Sequence, residues 1–241
     1  MKRILITGGS GFIGSHIALN LLLKGYKVII IDSNINSSPH VIERIKKLTK
    51  ISSLTFDNNL EFVKGDIRDT DFIKKIFDVS ISNKKSIDCV IHLAGLKSIS
   101  ESFRAPIEYW DTNVKGSINL LKQMEEYNCN SLIFSSSAGI YDFSNGKKLT
   151  ENDPINPISP YAKSKDTVER ILLDLFNIQN NQWRIANLRY FNPIGAHGSG
   201  LLGEDPQSRS NNIFPKILEV AGVKDKKLQI FGNCWPTHDK L

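Results

Sequence analysis

One tyrosine and one lysine stand at a spacing that suits proton transfer. Tyr161 is followed four positions later by Lys165, and no other tyrosine of the chain has lysine at that position. On a helix the two side chains would share a face. The ammonium would favour the phenolate and lower the pKa of the phenol from about 10 toward working pH. The pair predicts a general base for a substrate hydroxyl, and a plain pair of surface neighbours is the alternative.

Two predicted elements would position this pair and a partner for it. Ser159-Pro160 predicts the start of a helix, because serine is a good N-cap and proline suits the first helical position. A predicted strand at 131–135 leads into Ser137, at the sheet edge where open α/β proteins bind ligands. Ser137 is therefore predicted to hold the hydroxyl whose proton Tyr161 removes.

A glycine-rich turn lies between the first predicted strand and the first predicted helix. Gly8, Gly11 and Gly14 form GxxGxxG, a relative of the dinucleotide fingerprint. Gly8 would permit the tight turn, Gly11 would let the backbone approach a pyrophosphate, and Gly14 would let the helix pack closely on the strand. The helix N-terminus would bind the phosphates, and a nicotinamide would supply the hydride chemistry that side chains cannot. Plain packing is the alternative for such a turn.

Two aspartates follow the next predicted strands. Asp32 ends the second strand, where a carboxylate would accept from an adenosine ribose hydroxyl and repel a 2′-phosphate. The nearest following arginine, Arg44, lies in the next helical segment, so NAD is favoured over NADP. A strand-end turn is the alternative role for Asp32. Asp66 could accept from an adenine amino group or merely start a turn.

Apolar runs bounded by turn residues alternate with helical stretches along the chain. This alternation is typical of a parallel sheet with crossover helices. The predicted fold class is α/β, a Rossmann-like doubly wound parallel sheet with an incomplete C-terminal substrate lobe. The first helix is predicted at 13–24, followed by Gly25. Strands are predicted at 3–7, 27–31, 60–64, 88–93, 131–135 and 183–189.

The pattern changes near residue 190. Residues 191–212 are rich in glycine and look irregular, and only a short helix at 213–222 and a short strand at 228–231 follow. We expect residues 1–190 to form an NAD-binding domain and residues 191–241 a partial, truncated substrate-binding lobe. So short a second segment cannot bury an independent core and must pack on the first domain.

Composition excludes several classes of function. Lys and Arg number 31 against 25 for Asp and Glu, but the positive residues are scattered and form no nucleic-acid-binding motif. We expect no membrane span and no signal peptide, since no apolar run is long enough. Three separated cysteines suit a reducing, cytoplasmic location. No metal-ligand spacing joins the histidines, and His16 and His92 are predicted to be hydrogen-bonded structural residues.

Several segments carry a resemblance more specific than these patterns. They resemble the UDP-glucose 4-epimerase (UDP-galactose 4-epimerase) family of the extended short-chain dehydrogenase/reductase superfamily, in colinear order from residue 3 to about residue 239. The segments are TGGSGFIGSH at 7–16, GDIRD at 65–69, IHLAGLK at 91–97, NVKGS at 113–117, FSSSAGIY at 134–141, SPYAKSK at 159–165, LRYFNPIGAH at 188–197, GEDPQ at 203–207 and LQIFGN at 228–233.

The resemblance implies ligand-binding positions beyond the glycines. The positions that match NAD contacts are Phe12, Ile13, Asp32, Ser33, Asn36, Ser37, Asp66, Ile67, Leu93, Ala94, Gly95, Lys97, Asn113, Tyr161, Lys165 and Phe191. The positions that match contacts with the UDP-sugar substrate are Ser137, Tyr161, Asn192, Asn212, Gln229, Ile230 and Phe231.

The resemblance also implies an isomerase of galactose and nucleotide-sugar metabolism. Tyr161 would take the proton of the sugar C4 hydroxyl while a hydride passes from C4 to NAD. The 4-keto sugar would swing about its diphosphate linkage and regain the hydride on its other face. Related dehydratases carry a carboxylate just after the catalytic Ser or Thr, whereas Ala138 and Gly139 follow Ser137 here, which favours epimerisation. A homodimer formed by the helices that carry Leu120 and Tyr161 is implied.

Two hypotheses follow for the chain of 241 residues. In the first it is an epimerase with a complete proton-transfer set and an incomplete substrate clamp. In the second it is a catalytically weak or inactive truncated NAD-binding module of the same family. In both we expect it to bind NAD, with reduced or no turnover of UDP-galactose.

Overall fold

The fold is built on one parallel β-sheet. The computed structural model describes residues 1–51, 59–82, 86–143, 148–178, 182–205, 213–223 and 227–229. The strands of these residues are β1 Arg3–Thr7, β2 Lys27–Asp32, β3 Leu60–Lys64, β4 Cys89–His92, β5 Ser131–Ser137 and β6 Arg184–Tyr190. They form a six-stranded sheet in the order β3-β2-β1-β4-β5-β6, with parallel pairing throughout.

Helices connect the strands and cover both faces of the sheet. The α-helices of the described residues are α1 Phe12–Leu23, α2 His40–Ile51, α3 Thr70–Ser82, α4 Ile99–Arg104, α5 Pro106–Tyr109, α6 Gly116–Glu126, α7 Pro160–Phe176 and α8 Ile213–Ala221. A π-helix, Trp110–Lys115, joins α5 to α6, and a 3₁₀ turn, Ala138–Ile140, follows β5. None of the described helices is long and apolar enough to cross a membrane.

Alternate residues of the central strands supply two hydrophobic cores. Leu5 faces the side of the sheet where Leu120 of α6 and Leu172 of α7 pack. Its neighbour Ile6 faces the other side, where Leu19 of α1 packs. This alternation follows from the two-residue period of a strand. Each fully buried side chain of this kind contributes roughly 1.5–3 kcal/mol to folding.

The strand order places a ligand-binding edge at the centre of the sheet. β1 is flanked by β2 on one side and β4 on the other. The chain builds the sheet outward from β1 to β3 and then returns to the centre to add β4, so the strand order reverses between the neighbours β1 and β4. Doubly wound sheets bind ligands in the crevice outside the carboxyl ends of such strands. Thr7 and His92, the last residues of β1 and β4, are paired neighbours at this point.

The six strands predicted between residues 3 and 189 are confirmed, with shifts of at most two residues at their ends. The strand predicted at 88–93 is Cys89–His92, and the strand predicted at 131–135 continues to Ser137. The first helix is confirmed as α1, and the short helix predicted at 213–222 as α8.

The strand predicted at 228–231 is wrong for its described part. Leu228 and Gln229 lie outside any strand, because no described strand lies beyond β6 to pair with them. Ile230 and Phe231 lie outside the described residues. Leu202, 3% exposed, packs into the core around Ile6 and Leu19, so part of the second segment lies on the first. The domain division at residue 190 stays a prediction.

Candidate active site

The turn between β1 and α1 has no room for side chains at two of its glycines. Gly8 has a φ of 68°, and a Cβ there would lie 2.7 Å from the backbone nitrogen of Ala94. A Cβ on Gly14 would lie 2.5 Å from the Gly8 carbonyl oxygen. Gly11 is the N-cap of α1 and forms no side-chain capping bond. The helix therefore presents its first N–H groups and the positive end of its dipole at this turn.

The same turn contains a buried hydroxyl that lacks a protein partner. Ser10 is 2% exposed, and within the described part of the chain its Oγ has no hydrogen-bond partner. A buried polar group without a partner costs about 1–3 kcal/mol. A phosphate oxygen at the helix N-terminus would accept this hydrogen bond and use the dipole as well. The turn therefore fits a dinucleotide pyrophosphate.

Asp32 organises the turn after β2. Its carboxylate accepts from the Ser10 N–H at 3.0 Å, the Asn34 N–H at 2.9 Å and the Ser37 hydroxyl at 2.9 Å. The turn-forming role is confirmed, and the carboxylate also fixes the glycine turn through Ser10. Ser37 is buried and Asn36 is exposed beside it. The ribose contact of this carboxylate stays a prediction.

A cleft lies beside the glycine turn and the Asp32 turn. Phe12, Asn36 and Arg44 line it, together with Leu202 and Asp205 from the second segment. Arg44 lies in the next helical segment, as predicted, but that segment brings it to the cleft. Because α2 begins at His40, Arg44 stands one turn into the helix and faces the cleft. That helical register is the signal that could have identified Arg44.

Asp66 is occupied by a neighbouring guanidinium. Its carboxylate accepts from Arg68 at 2.7 Å, and this hydrogen bond is the main reason that the pKa of Asp66 is lowered. The backbone carbonyl of Asp66 also accepts from the Asp69 N–H at 3.1 Å. The turn-starting role is thereby confirmed, and an adenine contact stays a prediction. Ile67 is buried against α6, since a Cβ on Gly116 would lie 2.7 Å from its Cδ1.

The segment 93–97 after β4 runs along the glycine turn, and we call it the β4 strip. The N–H groups of Leu93 and Ala94 donate to Thr7 Oγ1 at 3.2 and 3.1 Å. A Cβ on Gly95 would lie 2.9 Å from a side-chain oxygen of the π-helix. Lys97 Nζ lies 3.4 Å from the carboxylate of Glu204. The strip is thus fixed at both ends.

Asn113 joins the β4 strip to the helix that carries Tyr161. It lies in the π-helix, and its Oδ1, the oxygen near Gly95, accepts from the Leu96 N–H at 2.8 Å. Its Nδ2 donates to the Leu96 carbonyl at 3.1 Å and to Ser164 Oγ at 2.9 Å. Single-turn π-bulges occur frequently at functional sites, and this one brings the amide to the strip.

The structure brings Tyr161, Lys165 and Ser137 together. Ser159 caps α7 as predicted, since its Oγ accepts from the Ala162 N–H at 3.1 Å. The Ser137 hydroxyl lies near enough to the Tyr161 phenol to lower its pKa. Lys165 is 5% exposed, and its Nζ donates to the Ser135 carbonyl at 2.8 Å. A phenol, a hydroxyl and an ammonium therefore meet at the carboxyl end of β5.

Burial governs the pKa values of this group. Burial raises the pKa of Tyr161, and the nearby Ser137 hydroxyl offsets only part of that rise. Burial lowers the pKa of Lys165 to about 8. The expectation that the lysine lowers the pKa of the phenol is therefore wrong for the protein alone. The ammonium is directed at the Ser135 carbonyl, while desolvation penalises the phenolate.

The predicted site residues of the second segment that the structure describes are exposed to solvent. Phe191 is 66% exposed, and Asn192 is exposed as well. Both follow β6, whose last residue Tyr190 is in register with Ser137, so they leave the sheet at the edge that carries the site. Gln229 is exposed. Asn212, like Ile230 and Phe231, lies outside the described residues.

The histidines predicted as structural are confirmed in that role. His16 Nδ1 lies 2.8 Å from the Phe12 carbonyl of its own helix. His92 has hydrogen-bond partners on both ring nitrogens, Thr7 and Ser117, and sequence reasoning missed those two residues. In the part of the chain that the structure describes, no group of His, Cys, Asp and Glu could hold a metal ion.

Known proteins match this arrangement over nearly the whole chain. A family model described as GDP-mannose 4,6 dehydratase matches residues 5–239. UDP-glucose 4-epimerases of Cyamopsis tetragonoloba and Neisseria meningitidis serogroup B are 42% and 43% identical over 99% of this chain. The chain belongs to the UDP-glucose 4-epimerase family of extended short-chain dehydrogenases/reductases. It spans about two-thirds of the length of these epimerases, 65% and 67%.

Solved structures of the epimerase family confirm the predicted fold class. The UDP-glucose 4-epimerase of Stenotrophomonas maltophila, with bound NAD and formylated UDP-arabinopyranose, matches with a TM-score of 0.89 and 38% identity. That match covers 100% of this chain and 68% of the other. The epimerase of Bifidobacterium longum, in complex with NAD⁺ and UDP, matches with a TM-score of 0.88 and 40% identity over 99% of this chain and 68% of the other.

Proposed function

We propose that the protein interconverts UDP-glucose and UDP-galactose by inverting C4 of the sugar through a transient 4-keto intermediate, with NAD as a recycled cofactor. The relatives named as UDP-glucose 4-epimerases support this reaction, and two of their structures contain NAD. The single observation that carries the proposal is the grouping of the Tyr161 phenol, the Ser137 hydroxyl and the buried Lys165 ammonium at the carboxyl end of β5.

The residues that would hold NAD lie along the central edge of the sheet. The glycine turn and Ser10 would bind the pyrophosphate, Asp32 and Ser37 the adenosine side, and the β4 strip with Asn113 the nicotinamide side. The buried, unpartnered Ser10 hydroxyl and the cramped Gly8 backbone fit such a group. When bound, NAD would supply the hydride acceptor for C4 and a positive ring charge that favours the Tyr161 phenolate.

The proton chemistry belongs to the side chains of this chain. Tyr161 would take the proton of the C4 hydroxyl as C4 is oxidised, and would return it when C4 is reduced from the other face. Ser137 would hold the C4 oxygen by a hydrogen bond throughout. Lys165 would hold α7 against the end of β5 through its hydrogen bond to the Ser135 carbonyl, and would add its charge to that of the nicotinamide ring once NAD is bound. Ala138 and Gly139, in the 3₁₀ turn after Ser137, offer no carboxylate for a second proton transfer, which supports epimerisation over loss of water.

The purified protein tests the proposal directly. We expect isothermal titration calorimetry to detect NAD binding, and proton NMR to detect conversion of UDP-galactose into UDP-glucose without a 4-keto product that accumulates. Accumulation of a dehydrated 4-keto-6-deoxy sugar nucleotide would replace the proposed reaction with a dehydratase reaction. Failure to bind NAD would overturn the proposal as a whole.

A second candidate is an NAD-binding module of the same family with little turnover. The observation that favours it is the contrast between the two ligand sites. Ser10 of the glycine turn is hydrogen-bonded to Asp32, and Thr7 beside that turn to the β4 strip, whereas Asn192 and Gln229 of the predicted UDP-sugar site are exposed. NAD binding without measurable conversion of UDP-galactose would select this candidate.

We also propose that the protein is a cytoplasmic homodimer. Leu173 and Phe176, 57% and 54% exposed, lie three residues apart and share a face of α7. Exposed apolar pairs on one helix face support an interface with a second copy. Cys89 and Cys129 are both free thiols, which supports a reducing compartment.

A further inference from the structure

A line of hydrogen bonds runs through the interior between β1 and the π-helix. His92 lies at its centre, 2% exposed, at the end of β4. Its Nδ1 lies 2.6 Å from Thr7 Oγ1, and its Nε2 lies 2.8 Å from Ser117 Oγ. Ser117 Oγ in turn donates to the Asn113 carbonyl one turn earlier. We call these four residues the His92 line.

The direction of each hydrogen bond in the His92 line is determined by its neighbours. Thr7 Oγ1 already accepts from the N–H groups of Leu93 and Ala94, so its own proton points to His92 Nδ1. At the other end, the Ser117 hydroxyl donates its proton to the Asn113 carbonyl, so its oxygen accepts a hydrogen bond from His92 Nε2. Only the neutral ring with the proton on Nε2 satisfies both partners. Burial supports this state, because it lowers the pKa of His92 to about 3.

The two ends of the line lie at the two halves of the candidate site. Thr7 precedes Gly8 and holds the β4 strip through its hydroxyl. Asn113 holds Leu96 of the strip and Ser164 of α7 through its side chain. Ser164 lies between Tyr161 and Lys165, and its hydroxyl donates to the Tyr161 carbonyl at 2.6 Å. The cofactor half and the proton-transfer half are thus joined through buried polar contacts.

We propose that His92 is a positioning residue, which keeps the β4 strip and the helix of Tyr161 in register through Thr7 on one side and Ser117 with Asn113 on the other. The proposal rests on the proposed function, since it concerns the distance between cofactor and base. Misplacement of reacting groups by about 1 Å can cost on the order of a hundredfold in rate. A buried, fully bonded ring limits such movement better than apolar packing, which has no fixed direction.

Two amide variants separate the halves of the His92 line. The oxygen of His92→Asn can take the place of Nδ1 and accept from Thr7, but this side chain is too short to reach Ser117. The amide nitrogen of His92→Gln can take the place of Nε2 and donate to Ser117, while the hydrogen bond from Thr7 is lost. Ser117→Ala breaks the same side as His92→Asn with a smaller change. His40→Asn and His40→Gln, at an exposed histidine, are the matched controls.

Loss of the hydrogen bond to Ser117 and loss of the hydrogen bond from Thr7 should have different effects. His92→Asn and Ser117→Ala should shift the titration of Tyr161, followed by ¹³Cζ NMR in the NAD-free protein, and lower kcat about tenfold or more. His92→Gln should leave the Tyr161 titration near that of the wild type and weaken NAD binding about tenfold, measured by calorimetry. Thr7→Ser, which keeps the hydroxyl, should retain wild-type NAD affinity.

Other outcomes would overturn the positioning role. If the two amide variants change NAD affinity and Tyr161 titration alike, in proportion to their loss of thermal stability, His92 is only a core residue. No change in either variant would overturn it too. The Tyr161 titration needs neither cofactor nor turnover. If the wild type fails to bind NAD but His92→Asn still shifts the Tyr161 titration, the proposed function is contradicted and the link from His92 to α7 is upheld.

Discussion

The phenol of Tyr161 is the group on which the proposed proton transfer depends. Tyr161→Phe removes one oxygen and leaves the ring in its edge contact with Tyr109, 6.4 Å between centroids. We expect turnover of UDP-galactose to fall about 10²–10⁴-fold, the usual contribution of a general base, with NAD affinity nearly unchanged. Coupled spectrophotometric assay and calorimetry would measure the two. Tyr26→Phe, distant from the site, is the control, and equal turnover in both variants would exclude Tyr161 as the base.

Lys165 gives a second prediction at the residue scale, because its charge is buried. Its pKa falls from 10.5 to about 8 on folding, so the penalty on the charged form is fully present below pH 8 and is relieved as the pH rises through 10.5. Lys165→Met removes this penalty at every pH. The stability of the wild type relative to Lys165→Met should therefore rise by roughly 3 kcal/mol from pH 8 to 10.5.

Urea unfolding of both proteins at several pH values measures that difference. Groups that titrate in both proteins cancel in it, including the tyrosines. Lys163→Met, at an exposed lysine of the same helix, is the matched control and should show no such trend. A difference in stability that is independent of pH for Lys165→Met would mean that the buried ammonium is not penalised.

At the scale of elements, the start of α7 sets where Tyr161 stands. Ser159 accepts from the Ala162 N–H and Pro160 occupies the first helical position, so the helix begins at a defined residue. Ser159→Ala should destabilise the protein by about 1 kcal/mol, because the N–H loses its acceptor. Ser159→Asp, which can still cap, should recover most of this loss. Thermal unfolding followed by circular dichroism would measure both, and equal losses would exclude a capping role.

The elements that could be predicted are those whose signals are local. β1 and β3 have the predicted ends, since an apolar run and its turn residues lie within one short segment. The serine cap of α7 is equally local. The π-helix was not predictable, because the turn that exposes Asn113 to the β4 strip depends on contacts with distant residues. The raised pKa of Tyr161 depends in the same way on tertiary burial, which the Tyr161–Lys165 spacing does not encode.

At the scale of the whole molecule, the exposed apolar face of α7 bears on assembly. Replacement of both Leu173 and Phe176 by glutamate puts two charges on the proposed interface, where they would have to be desolvated. We expect light scattering to detect a dimer for the wild type and a monomer for the double variant. Asp174→Lys, at an exposed residue of the same helix, should remain a dimer. A monomeric wild type would contradict the proposed homodimer.

The site as a whole was predictable in its first 190 residues and less so beyond them. Gly8, Asp32 and Ser137 lie at or just after strand ends, so the strand pattern alone places them on one edge of the sheet, and the Ser159-Pro160 signal places Tyr161 in the first turn of α7. Arg44 was not predicted there, although the register of α2 from its start at His40 would have indicated it. Gln229 was predicted in a strand and lies outside any strand, because a local apolar pattern does not indicate whether a neighbouring strand is there to pair with.

The π-helix at Trp110–Lys115 has a consequence for how the gene can vary. A π-helical turn contains more residues than an α-helical turn. A substitution in it keeps the number of residues between α5 and α6, whereas loss of one codon would rotate α6 by about 100° relative to α5. Such a deletion would turn either Asn113 or the whole of α6 away from its partners. Relatives should therefore keep the length of this short stretch constant and retain Asn113, while its other residues vary more freely.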